Sequence, residues 1–87
     1  MYQAIETRFF GPTNHRGSRV RVKCQARTMY VSWDHALDSE ANHVAAARAL
    51  ATAMEWSGAW VGGALADGRG YAFASLRGSE EADFHVA

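Results

Sequence analysis

The side chains able to do chemistry are few, and most of them are cations. Arg19, Arg21 and Lys23 alternate with Val20, Val22 and Cys24. Side chains in a strand point to opposite faces with a period of two, so the three cations share one face and the apolar residues the other. Arg8 has the same parity as Glu6 in an earlier β-favouring run, Arg16 precedes the alternating segment, and Tyr30 falls in the segment after it. Cations beside an aromatic ring suit single-stranded nucleic acid, with phosphates on the cations and bases on the ring. The same charges also serve solubility and the protection of a sheet edge, and both readings stand at this stage. The candidate contact residues are Arg8, Asn14, His15, Arg16, Arg19, Arg21, Lys23 and Tyr30.

Other chemistries find less to work with. The loop Gly11-Pro12-Thr13-Asn14-His15-Arg16-Gly17-Ser18 holds two glycines and an arginine. A phosphate-cradling P-loop runs from Gly-Lys-Ser/Thr into a helix, whereas this loop runs into a strand, so no helix dipole meets an anion there. It reads as a structured loop, with Thr13 and Asn14 satisfying backbone groups, or as a contact loop for a partner. His15, His35, His43 and His85 form no metal-ligand spacing, and no set of three or four ligands converges in sequence. No metal and no cofactor are expected. Asn42-His43 in the first helical turn reads as a polar contact between helix and sheet. Cys24 has apolar parity and reads as a small core residue, since a nucleophile needs an accessible, electropositive setting and a base. A histidine-driven nuclease built on His15 lacks a clearly placed second histidine. Trp33, Trp56 and Trp60 read as core and helix-end residues, because each covers a large apolar area.

Five strands and one helix must position these groups. Tyr2–Phe10 is aromatic and β-favouring, Arg19–Ala26 alternates cleanly, and Met29–Trp33 alternates after a short link, giving a hairpin with its predecessor. Glu40–Trp56 lacks Gly and Pro and is rich in alanine. Asp38 or Ser39 is its expected N-cap, Val44, Ala47, Leu50, Ala51 and Met54 its apolar stripe, and Gly58 its left-handed terminator. Ala59–Ala66 and Tyr71–Leu76 are strands joined by the turn signal Asp67-Gly68-Arg69-Gly70. Gly62-Gly63 predicts a bulge or a close backbone approach. The order β-β-β-α-β-β gives the expected fold class: α+β, an antiparallel sheet of about five strands with one helix on one face. Residues 1–77 form the expected single domain, and 78–87 an acidic, loosely held tail that Phe84 docks.

Composition narrows the function. The chain has 87 residues, 48% of them hydrophobic, which suits one thin core. Nine Lys and Arg balance nine Asp and Glu, so neither a histone-like polycation nor an acidic nucleic-acid mimic is expected. The charges are segregated all the same. Residues 1–30 carry six cations against one acid, and residues 31–87 three cations against eight acids. One cysteine excludes a disulfide framework. No apolar run reaches the roughly 20 residues of a membrane span, and the start lacks a signal-peptide pattern. The expected location is the cytoplasm.

Four segments together carry a resemblance: Gly11 to Arg19, Trp33-Asp34 through Leu37, Asn42-His43 with Ala45-Ala46, and Gly68-Arg69-Gly70-Tyr71. In these the chain resembles a group of short accessory proteins of phages, plasmids and integrative elements of high-GC proteobacteria, over about residues 2–76. The resemblance supplies no catalytic residues. It implies an accessory protein of a mobile element, in a setting where small proteins often inhibit host defence, anti-CRISPR proteins among them, and usually act by binding. That step is an analogy of setting. The resulting expectation is a non-enzymatic inhibitor of a bacterial defence complex, acting by surface occlusion in the host cytoplasm. Its partner would be a host protein or ribonucleoprotein, met through an acidic patch or a nucleic-acid backbone. The rival expectation is a small single-stranded nucleic-acid binder using the basic face. Pairing of two copies through a strand edge is a further possibility for so small a sheet.

Overall fold

The computed structural model describes residues 2–76 and 82–86. Strands β1 (Ile5–Phe10), β2 (Arg19–Lys23) and β3 (Thr28–Ser32) precede helix α1 (Ser39–Ala53), and β4 (Gly58–Ala64), β5 (Gly70–Ser75) and β6 (Phe84–Val86) follow it. The six strands make one antiparallel sheet in the order β3-β2-β1-β5-β4-β6, with α1 packed on one face. The α+β class with a helix against the sheet is as expected. The sixth strand is not. Phe84–Val86 pairs with Gly58–Trp60, and Phe84 is buried, so this part of the expected loose tail belongs to the sheet. The remainder of that expectation, residues 78–81 and 87, lies outside the described residues.

Alternation sorts the residues as the sequence predicts. Ile5, Thr7, Val20, Val22, Trp60, Phe73 and Phe84 face the helix and are buried. The strands themselves are shorter than the apolar and polar runs that announce them, because Tyr2–Ala4 and Cys24–Ala26 lie outside the ladder. Cys24 is free, half-buried against the core, and its amide donates to the Arg27 carbonyl in the β2–β3 turn.

Asp38 caps α1, its carboxylate accepting from the Ala41 amide at 2.8 Å. The buried stripe is Asn42, His43, Ala46, Ala47, Leu50 and Ala51. It is rotated from the expected one: Val44 is only half-buried, and two polar residues open the stripe. The helix ends differently from expectation too. Glu55 (φ 59°), not Gly58, ends it in the left-handed conformation, while the amides of Glu55 and Trp56 close onto the Thr52 and Ala51 carbonyls. Gly58 has φ 104° and opens β4. Gly62 makes no bulge, since the β4–β5 register runs unbroken from Trp60 to Ala64. It provides close approach instead, as the Phe73 ring lies where a Cβ on Gly62 would stand.

At one end of the domain Tyr2 stacks on Trp56 and Trp60, and Trp60 on Phe84. This agrees with the reading of Trp56 and Trp60 as helix-end residues. Trp33 lies at the other end, edge-on to Phe9.

Candidate functional site

The sheet face away from α1 gathers most of the candidate residues, and the register explains how. Arg8 lies opposite Arg21, Lys23 opposite Glu6, and Arg21 opposite Tyr30. One residue escaped the sequence reading. Phe10 shares the parity of Arg8 and pairs with Arg19, so its ring stands among the cations. The alternation of β1 already carried that signal.

The cations surround two rings. The Arg19 guanidinium lies 5.5 Å from the Phe10 centroid and 5.8 Å from that of Tyr30. Arg21 stands 5.2 Å from Phe10, and Arg16 reaches from its loop to 5.3 Å from Tyr30. Cation–π attraction holds the guanidinium groups in place without neutralising them. Tyr30 is about half exposed (49%). Arg19 also donates to the Gly17 carbonyl, and its Nε has no partner among the described residues. A shallow hollow of about 290 Å³ opens between Arg16, Arg19, Tyr30 and Ser32. On β5 and β4 the same face continues into Ala72, Ala74 and Gly63, which are small and exposed.

The other candidates are placed differently. Arg8 is committed to an ion pair with Asp67 of the β4–β5 hairpin at 2.8 Å. The Arg69 amide, together with the Arg8 guanidinium, holds the Asp67 carboxyl below its ordinary range. Asn14 and His15 are exposed at the tip of the 11–18 loop. That loop is structured, but by Thr13 and not by Asn14: the Thr13 hydroxyl accepts from the amides of His15 and Arg16, and the Thr13 amide donates to the Arg16 carbonyl at 2.7 Å. This turn is what brings Arg16 back over Tyr30.

A second site lies on the helix side of the sheet, and the sequence reading did not assemble it. A cavity of about 610 Å³ is lined by Phe9, Trp33, Ser39, His43, Ala64, Gly68, Arg69, Gly70 and Tyr71. His43 is buried, and its Nδ1 lies 2.7 Å from the Thr7 hydroxyl of β1, the expected helix-to-sheet contact. The Thr7 hydroxyl is directed to the Tyr71 carbonyl at 3.4 Å. The Thr7 contact occupies Nδ1, which leaves Nε2 as the ring nitrogen without a protein partner among the described residues. Burial lowers the His43 pKa, because a charged imidazole would lose its hydration. Asn42 does not reach the sheet; its side chain accepts from the Asp34 amide and donates to the carbonyls of Asp34, Leu37 and Asp38, fixing the connection that positions Trp33.

Among the described residues no group of three or more His, Cys, Asp or Glu is placed to hold a metal ion, and no helix is long and apolar enough to cross a membrane. Compared with known proteins, the chain matches no family model, no curated protein and no solved structure.

Proposed function

We propose that this chain is a non-enzymatic binding protein that acts through the open face of β1–β3, covering the surface of a nucleic-acid-bearing complex. One observation carries the reading: Arg16, Arg19 and Arg21 converge on Phe10 and Tyr30 with no acidic partner for any of the three among the described residues. Guanidinium groups pre-oriented by rings suit phosphates, and an exposed ring suits an unstacked base. The resemblance to accessory proteins of mobile elements supports an inhibitor of a host defence complex, with the neighbouring Ala72–Ala74 strip as an uncharged flank of the contact. The half-exposed Tyr30 ring favours a second reading, in which the face binds single-stranded nucleic acid without any protein partner.

Fluorescence anisotropy with a labelled single-stranded RNA of mixed sequence separates the two readings. An autonomous binder gives saturable binding whose logarithm falls against log salt with a slope of about −2, the value for three phosphate contacts on a single strand. It loses that binding on Arg19→Glu/Arg21→Glu. An occluding inhibitor gives no such binding. Its wild-type form then captures a ribonucleoprotein from nuclease-treated bacterial lysate, and the charge-reversed form does not. Failure of both assays removes this face from the account.

A further inference from the structure

The cavity at His43 lies across the sheet from the basic face and plays no part in the reading above. Its walls are rings: Phe9 and Trp33 meet edge-on with centroids 4.8 Å apart, and the Tyr71 ring stands 4.8 Å from that of His43. Its volume of about 610 Å³ falls in the range of small-molecule sites. A wall of rings alone would say little about an occupant. The polar groups say more. His43 is only 2% exposed, and with Nδ1 committed to Thr7 its remaining polar atom, Nε2, has no partner among the described residues. A ring nitrogen without a protein partner, on a side chain that lines the cavity, is free to hydrogen-bond a ligand there. Arg69 and Ser39, the first residue of α1, also line the cavity and bring a cation and a hydroxyl to it. No carboxylate is among the residues that line the cavity; Asp38 and Glu40 border a different hollow, together with Arg48.

We propose that this cavity binds a nucleoside monophosphate. The base lies among Phe9, Trp33 and Tyr71 and hydrogen-bonds His43 Nε2. The phosphate meets Arg69 and the Ser39 hydroxyl. Every common base offers a ring N–H or an exocyclic amino group, so the site reads the flat heteroaromatic ring and the anion together, not one base alone.

Amide and indole NMR spectra of the isotopically labelled full chain, titrated with AMP, GMP, CMP and UMP, test this. The expected result is saturable shifts at Phe9, Trp33, Ser39, His43, Arg69 and Tyr71. Adenosine and uridine without phosphate should bind at least about tenfold more weakly than AMP and UMP, since a charge-assisted contact to the anion is lost. Arg69→Glu, a change at an exposed side chain whose fold the same spectra report, should weaken AMP at least about tenfold. Arg19→Glu/Arg21→Glu should leave AMP binding unchanged, which keeps this site separate from the open face. Absence of saturable shifts at these residues overturns the proposal, and so does equal affinity for nucleoside and nucleotide.

Discussion

His43 is the residue on which chemistry and stability meet. Its imidazole is buried in neutral form between Thr7, Trp33 and Tyr71, with Arg69 the charged side chain sharing its cavity. Burial lowers its pKa in the folded state. Below the ordinary imidazole value the unfolded chain therefore takes up a proton that the folded chain resists, and stability falls with falling pH through that window. Well above about pH 6.5 both states are neutral and the stability is fully present. Thermal unfolding between about pH 5 and 8 should show a melting temperature that drops below about 6.5 in the wild type. The drop should be much smaller in His43→Gln, whatever that variant's stability at neutral pH. An equal slope in both would place the pH sensitivity elsewhere. Legibility differed among the site residues for a physical reason. Arg19, Arg21 and Lys23 lie on one strand, where alternation alone sets their direction. Phe9, Trp33, Ser39, His43, Arg69 and Tyr71 come from five segments, and no local pattern says that they meet.

At the scale of elements, β1 is the centre of the sheet, and its contact with β5 depends on one glycine. A Cβ on Gly70 would stand 1.8 Å from the Thr7 carbonyl oxygen and 2.9 Å from its carbon, a clash with backbone that no side-chain movement relieves. Gly70→Ala should cost about 3 kcal/mol in urea unfolding, at the upper end of overpacking effects. Gly17→Ala, where a Cβ would meet nothing within 4 Å, should stay within about 0.5 kcal/mol of wild type. Comparable losses at both positions would sink the close-approach account. The sequence marked Gly70 only as the end of a turn signal, since the neighbouring strand that crowds it is 63 residues away from it in the chain at Thr7. The helix terminus shows the same limit from the other side. A left-handed glycine was the local expectation, yet the backbone closes its final carbonyls one turn earlier, with Glu55 in that conformation.

The whole molecule is a thin two-layer domain whose ends are closed by aromatic groups. Phe84 stacks 6.1 Å from Trp60, meets Phe73 edge-on at 5.7 Å, and lies under the Arg48 guanidinium. Phe84→Ala should destabilise the domain by about 3 kcal/mol or more, as for other buried phenylalanines. A loosely held tail would lose almost nothing, so chemical denaturation of this one variant decides whether β6 is part of the folding unit. The charge segregation also acts at this scale. Five cations, Arg8, Arg16, Arg19, Arg21 and Lys23, gather on one half of the open face, even though the chain as a whole is neutral. Long-range steering toward a polyanion is therefore a property of that face and not of the net charge.

The sequence by itself determined five of the strands and the helix, their polar sides, a cap for α1 at Asp38 or Ser39 and the clustering of cations on one face. All of these follow from interactions a few residues long: side-chain alternation, a short capping bond, a turn. Tertiary structure alone decided that β1 lies between β2 and β5, that a three-residue strand joins β4, that Phe10 and Tyr30 stand together among the arginines, and that residues of separate segments enclose the cavity at His43. Strand order is a choice among long-range pairings, each closing a loop of the chain for an apolar surface that only the assembled sheet and helix provide. No single segment contains that information, because the surface being buried belongs to several segments at once.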